Sequence, residues 1–225
     1  AFKNVVSWTV LIAGYVQHGC AQEALYKFEN MQQEGFSPNA VTFACILKAC
    51  GATGAIDKGK SMHDEIVQRN LLKHDPVLGN ALVDMYGKCG SLVMAQKVFE
   101  ELLVRDVVAW TSLISGYVQY GLSEMAIKCF DQMHYEGLSP NAVTYACILQ
   151  ACGEIGCLEM CQHLHFLITY AGYDSRIFVV SSLINAYGCC ASMCDAWVVF
   201  LGLSIPSVAA WNSCISGYAG EGDYT

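Results

Sequence analysis

The sequence predicts an all-α fold, a right-handed α-solenoid of stacked helix-turn-helix repeats. Three observations carry that expectation: long segments return at fixed intervals, apolar positions follow a helical period, and no stretch keeps the two-residue alternation of a half-buried strand. Val5-Val-Ser-Trp-Thr9 returns as Val107-Val-Ala-Trp-Thr111 and again as Val208-Ala-Ala-Trp-Asn212. Phe36-Ser-Pro-Asn-Ala-Val-Thr-Phe-Ala-Cys-Ile-Leu47 returns as Leu138-Ser-Pro-Asn-Ala-Val-Thr-Tyr-Ala-Cys-Ile-Leu149, and Asn80-Ala-Leu-Val-Asp-Met-Tyr-Gly87 more loosely as Ser181-Ser-Leu-Ile-Asn-Ala-Tyr-Gly188. Residues 5–39 and 107–141 share 19 of 35 positions without a gap, so the long period is a duplication.

Each long period divides into three repeats. They span 5–39, 40–75 and 76–106, then 107–141, 142–176 and 177–207, with 208–225 opening a seventh. Both ends fall inside repeats, so 1–225 reads as a single solenoid segment of a longer array. Within 5–39, Trp8, Leu11, Ile12 and Tyr15 mark one face of a first helix, His18-Gly19 breaks it, and Ala24, Phe28 and Met31 mark a second. The second-helix stripe recurs at Ala126, Phe130, Met133, at Ala95, Phe99, Leu102, and at Ala196, Phe200, Leu203. Gly51-Ala-Thr-Gly-Ala55 is expected to be a turn between two helices. A helix pair of this length cannot bury both apolar faces alone, so neighbours must stack, with the first helices lining a concave face.

Composition limits the function. Hydrophobic residues make up 54% of the chain and charged residues 14%, which excludes disorder. No run of 18 apolar residues occurs, so no membrane span is expected, and the first residues carry no targeting pattern. Net charge is −8, and residues 107–225 hold 2 basic and 9 acidic side chains. Binding driven by phosphate neutralisation is therefore disfavoured. The 13 cysteines are odd in number, contain no C-x-x-C, and sit largely in apolar runs; they read as reduced thiols acting as small hydrophobes. His63-Asp-Glu65 matches half of a deaminase zinc motif, but no P-C-x-x-C completes it. Neither a nucleotide loop nor a serine-nucleophile elbow is present. No cofactor, metal or catalytic residue is expected.

The repeats of 35, 36 and 31 residues, with V-V-S-W-T-x-L-I-x-G-Y, x-L-K-A-C and N-A-L-V-D-M-Y-G-K-C-G cores, closely resemble those of plant pentatricopeptide repeat proteins, in particular the subclass whose repeats alternate P, L and S types. Cys189-Cys190-Ala-Ser and Ser204-Ile-Pro-Ser207 depart from that pattern in the last full repeat. The resemblance implies a mitochondrial or chloroplast protein that binds single-stranded RNA, about one base per repeat, and guides C-to-U editing or processing. Editing-complex proteins are implied as further partners.

The resemblance also implies which residues meet the RNA. The fifth and last residues of a repeat contact one base, giving the pairs Thr9/Asn39, Ala44/Asp75, Asn80/Asp106, Thr111/Asn141, Ala146/Arg176 and Ser181/Ser207, with Asn212 opening the seventh. The second residues, Val6, Val41, Val77, Val108, Val143 and Phe178, pack on base faces. Thr/Asn resembles an adenine reader and Asn/Asp a uracil reader, while Ala44 and Ala146 have no group to read with. The tentative target is A-x-U-A-x-x. Two readings stand beside these. Thr9, Asn80, Thr111, Asp75 and Asp106 lie near helix starts, where such residues cap orphan amides. The whole array could also be a protein-binding scaffold of tetratricopeptide type. The tryptophans Trp8, Trp110 and Trp211 lie on the apolar stripe and are expected in the core, and Lys88 is a candidate phosphate contact.

Overall fold

The computed structural model describes residues 4–72, 75–203 and 206–221. Among them there are thirteen helices and no strand. Each full repeat contributes a pair: α1 (Val5–Gln17) and α2 (Ala21–Gln33), α3 (Ala40–Thr53) and α4 (Ile56–Gln68), α5 (Pro76–Lys88) and α6 (Leu92–Glu101). The second period contributes α7 (Val107–Gln119) and α8 (Ser123–Tyr135), α9 (Ala142–Ile155) and α10 (Leu158–Tyr170), α11 (Ile177–Cys189) and α12 (Met193–Leu201), followed by α13 (Val208–Glu221). The chain forms two compact units, Ala1–Gly116 and Tyr117–Thr225.

The same packing rule governs both units. In the first, α1 packs on α2 and α3, and α3 packs in turn on α5; in the second, α9 packs on α11 and α11 on α13. First helices thus form one layer. Second helices form the other within each unit, and α2, α4, α8, α10 and α12 also touch the first helix that follows them. The stripes Ala24, Phe28, Met31 and Ala126, Phe130, Met133 are buried, as are Ile12, Phe43, Ile46, Leu82 and Tyr86. Each large apolar side chain so placed contributes about 1.5–3 kcal/mol of burial.

Four sequence expectations need correction. Leu11 is 43% exposed, whereas its counterpart Leu113 in the second copy is fully buried. Gly51 is not in a turn: α3 continues to Thr53, and a Cβ at Gly51 would meet Lys88 Cδ at 3.2 Å and Met85 Cα at 3.4 Å, so the position serves helix packing. Leu102 and Leu203 follow the ends of α6 and α12 instead of lying in them, since these helices have only 10 and 9 residues. Arg105 covers the carbonyls left open by the early end of α6, donating to Phe99 O at 3.2 Å and Glu100 O at 3.0 Å. Ser204 and Ile205 of the divergent tail lie outside the described residues.

The turn inside the third helix pair of each period exposes a local cost. Gly90 stands at φ 75° between α5 and α6, and its counterpart Ala191 is held at φ 55° between α11 and α12. A Cβ in the left-handed region costs about 1–2 kcal/mol, which glycine avoids. A paired aromatic contact also recurs across the two copies. His63 Nδ1 lies 3.0 Å from Tyr86 Oη, and His165 Nδ1 lies 3.0 Å from Tyr187 Oη. Burial holds both imidazoles below their ordinary pKa and pushes both phenols up to about 12.

Ala191→Gly should raise stability by about 1 kcal/mol, read as a higher urea midpoint with an unchanged slope. The unfolded chain binds protons to His63 and His165 more readily than the folded one. Stability should therefore be full above about pH 6.5 and decline as pH falls below it. Urea titrations at pH 7.5 and 5.5 check this, and the double substitution His63→Gln/His165→Gln should reduce the difference.

Candidate nucleic-acid interface

The helical period sorts the first helices into a buried and an open face. Trp8, Thr9 and Ile12 of α1 point inward, while Val6 and Val10 stay in solvent. The same phase leaves every second-position residue open: Val6, Val41, Val77, Val108, Val143 and Phe178 range from 65% down to 47% exposed. Isolated exposed valines need no explanation, but six large apolar residues at one position of successive repeats make a series of apolar contact points.

The last residues of the repeats cap the helices that follow. Asn39 Oδ1 accepts from Thr42 N at 2.9 Å at the start of α3, and Asn141 Oδ1 accepts from Val143 N at 2.8 Å and Thr144 N at 3.0 Å at the start of α9. Asp75 accepts from Val77 N at 2.9 Å, Asp106 from Ala109 N at 2.9 Å, and Ser207 from Ala210 N at 3.1 Å. Arg176 makes no side-chain cap. The second helices α2, α4, α6, α8, α10 and α12 have no side-chain cap at all, so capping is specific to the first helices.

The fifth residues are not caps, contrary to one of the two readings of Thr9, Asn80 and Thr111. They lie a full turn inside their helices, too far along to reach the orphan amides of the first turn. Thr9 Oγ1 donates to Val5 O at 2.8 Å, Thr111 Oγ1 to Val107 O at 2.6 Å, and Ser181 Oγ to Ile177 O at 2.8 Å. Four polar fifth residues are nearly buried, Thr9 6%, Asn80 9%, Thr111 8% and Ser181 9% exposed, whereas the fifth residue of the last repeat, Asn212, is exposed.

Three of the pairs come together. Asn80 Nδ2 donates to both oxygens of Asp106, at 3.0 and 3.1 Å. This fixes the amide, because an ionised carboxylate can only accept. Asn80 Oδ1 is left buried with no hydrogen-bond partner, an acceptor in need of a donor. Ser181 Oγ lies 3.4 Å from Ser207 Oγ. Thr9 reaches Asn39 through Thr42, whose Oγ1 stands 2.7 Å from Thr9 Oγ1 and 2.9 Å from Asn39 Oδ1. Thr111 belongs to the first compact unit and Asn141 to the second. Ala44 and Ala146 bring no polar atom to Asp75 or Arg176. In the second unit an open groove of about 630 Å³ is lined by Val143, Ala146, Gln150, Phe178, Ser181 and Asn185 among others, so second-position and fifth-position residues share one surface there. Asn212 is exposed on α13.

Other candidates resolve simply. Trp8 and Trp110 are buried, and Trp110 meets Phe99 edge-on at 4.5 Å. Trp211 is 48% exposed yet packs edge-on against Phe200 at 4.6 Å. Lys88 Nζ is 2.7 Å from Asp84 Oδ2, Lys58 pairs with Glu29, and Arg69 pairs with Glu65. His63 is committed to Tyr86 inside α4. The cysteines are all free thiols; Cys50, Cys152, Cys161 and Cys214 are buried, whereas Cys20, Cys189 and Cys194 are exposed. No cluster able to hold a metal ion occurs among the described residues, and no described helix is long and apolar enough to cross a membrane.

The sequence profile of the PPR repeat family matches residues 3–71 and 105–154, and that of the PPR repeat matches residues 80–107. The chain belongs to the pentatricopeptide repeat family. A mitochondrial pentatricopeptide repeat-containing protein of Arabidopsis thaliana is 37% identical over 98% of this chain and 35% of its own length. A chloroplastic one from the same plant is 36% identical over 98% of this chain and 27% of its own length. This segment thus spans about a third or less of these pentatricopeptide repeat relatives. The crystal structure of the maize pentatricopeptide repeat protein PPR10 superposes with a TM-score of 0.66 at 22% identity, covering 96% of this chain and 32% of that one. The structure of PPR10 in complex with an 18-nt psaJ RNA element gives 0.59 at 18% identity, covering 98% and 38%. At such identities the likeness establishes the fold, an all-α helical-repeat solenoid.

The caps carry a stability signature. Asn39→Ala should lower stability by about 1 kcal/mol through loss of the α3 cap. Arg176→Ala, at the one described position of this kind without a side-chain cap, should change it by under about 0.5 kcal/mol. Chemical denaturation of the two variants checks the contrast.

Proposed function

We propose that this pentatricopeptide repeat segment binds single-stranded RNA by sequence in a mitochondrion or chloroplast, without catalysing a reaction itself, and guides C-to-U editing or processing. Each repeat, 5–39, 40–75, 76–106, 107–141, 142–176 and 177–207, takes one base. The observation that carries this reading is the recurrent triad of an exposed apolar second residue, a nearly buried polar fifth residue, and a last residue tied to it, as in Val77, Asn80 and Asp106. The apolar residue covers a base face, and the polar pair meets the base edge. The PPR10 complex with an 18-nt RNA and the mitochondrial and chloroplastic names of the Arabidopsis relatives support it.

The pairs differ in what they offer. Thr9/Asn39 and Thr111/Asn141 read adenine and Asn80/Asp106 reads uracil, whose N3–H supplies the donor that the buried Asn80 Oδ1 lacks. The repeats with Ala44 and Ala146 act as spacers, and Ser181/Ser207 is permissive. Asp75, Arg176 and Asn212 contribute polar contacts without a defined base. Binding rests on stacking and hydrogen bonds, since a chain with 12 basic against 20 acidic side chains gains little from counterion release.

A second reading, a protein-binding role, draws on the outer residues of the second copy. Phe166, Tyr170, Val198 and Leu201 are exposed where the first copy has Asp64, Gln68, Lys97 and Glu100. Editing-complex proteins would be the partners of such a surface.

Gel-shift titrations with A-x-U-A-x-x and with permuted RNAs test the reading. The matched RNA should bind about tenfold tighter than one changed at the first, third and fourth bases, with a shallow salt dependence. Asn141→Asp should move the fourth-base preference from adenine toward guanine. Equal binding of all permutations would overturn base reading, and base-indifferent capture of a protein partner would favour the scaffold.

A further inference from the structure

We infer that Thr42 is a positioning residue that orders the hydrogen bonds of the Thr9/Asn39 pair and so makes that pair fit adenine and reject guanine. The inference rests on the proposed base reading and deepens it for one repeat. Thr42 is the third residue of the following repeat and is wholly buried. Its backbone N–H donates to Asn39 Oδ1 at 2.9 Å. An N–H can only donate, so the oxygen end of the amide faces the cap and Nδ2 is turned away from it. The Thr42 hydroxyl donates its single proton to the same oxygen at 2.9 Å.

With that proton committed, Thr42 Oγ1 can only accept across the 2.7 Å contact with Thr9 Oγ1. Val5 O, at 2.8 Å, is a second inward acceptor for the Thr9 proton. Either way the proton of Thr9 points into the protein, and toward a ligand Thr9 offers only lone pairs. Asn39 offers only N–H. An acceptor beside a donor complements the Watson–Crick edge of adenine, whose exocyclic amine donates and whose N1 accepts. Guanine presents the reverse, a carbonyl oxygen and an N1–H, and would leave both protein groups unpaired.

The pattern recurs in the second copy. Thr144 stands in the same relation to Asn141, donating through N at 3.0 Å and through Oγ1 at 3.2 Å to Oδ1. Where the last residue is an aspartate, as in Asp75 and Asp106, both oxygens accept in any orientation, and the third residues are Leu78 and Ala109, without hydroxyls.

The test measures dissociation constants of the 225-residue chain and its Thr42→Val and Thr42→Ser variants on RNAs carrying A or G at the first or fourth base, together with urea midpoints. In Thr42→Val the first-base preference for A over G should fall about fivefold while the fourth-base preference stays. Thr42→Ser should keep both preferences. If Thr42→Val weakened A and G RNAs equally, or kept the wild-type ratio, Thr42 would have only a structural role and the inference would fail. A wild-type chain indifferent to A or G at the first base would instead overturn the reading of the Thr9/Asn39 pair itself.

Discussion

The N-cap of the first helices is the constraint on which the candidate interface depends. A helix start leaves amides that must be paired, and from α3 onward, α11 excepted, the pairing falls to the last side chain of the preceding repeat. Asn39, Asp75, Asp106, Asn141 and Ser207 each spend one acceptor on that duty. What remains of each side chain is then held in one orientation, and only that remainder can meet a ligand. Under the proposed reading, capping and base contact, which compete as explanations when the sequence alone is in view, become compatible uses of opposite ends of one group. A rigid helix terminus would fix such a contacting atom more closely than a free loop.

The two copies of the three-repeat period show how a conserved frame absorbs local change. Near Gly59 the space a Cβ would need is filled by Met85 Sδ, 2.5 Å from the hypothetical atom. In the second copy the corresponding residues are Cys161 and Ala186, so a small–large pair has become a larger–smaller one at similar total volume. The exchange also places Cys161 Sγ 3.6 Å from Cys190 Sγ, both thiols held protonated, with Cys190 pushed up to about 12 chiefly by burial. Less well compensated is Ala191, which keeps the left-handed turn of Gly90 without a glycine. The frame tolerates this because the helices on either side, not the turn, carry the buried area.

Much of the molecule was legible beforehand. The duplication, the helix pairs, and the buried stripes Ala24, Phe28, Met31 and Ala126, Phe130, Met133 follow from a period that only a helix packed on one side can satisfy. The exposed series from Val6 to Phe178 occupies the positions that the family resemblance implied. Helix ends were less legible: Leu102 and Leu203 continue the stripe in sequence but lie past the last turn, because α6 and α12 close early, and α6 hands its last carbonyls to the Arg105 side chain. Leu11 obeys the period too, yet periodicity cannot say which neighbours cover a face.

Sequence by itself determined the repeat, the family and the order of candidate side chains, because these depend on local spacing that every copy restates. Tertiary structure alone decided which of those side chains meet. Thr9 and Asn39 are joined by a residue from the next repeat, and Asn80 and Asp106 lie 26 positions apart but within 3.0 Å. The direction of a hydrogen bond depends on what stands at both of its ends, and those ends are brought together only when one helix pair stacks on another.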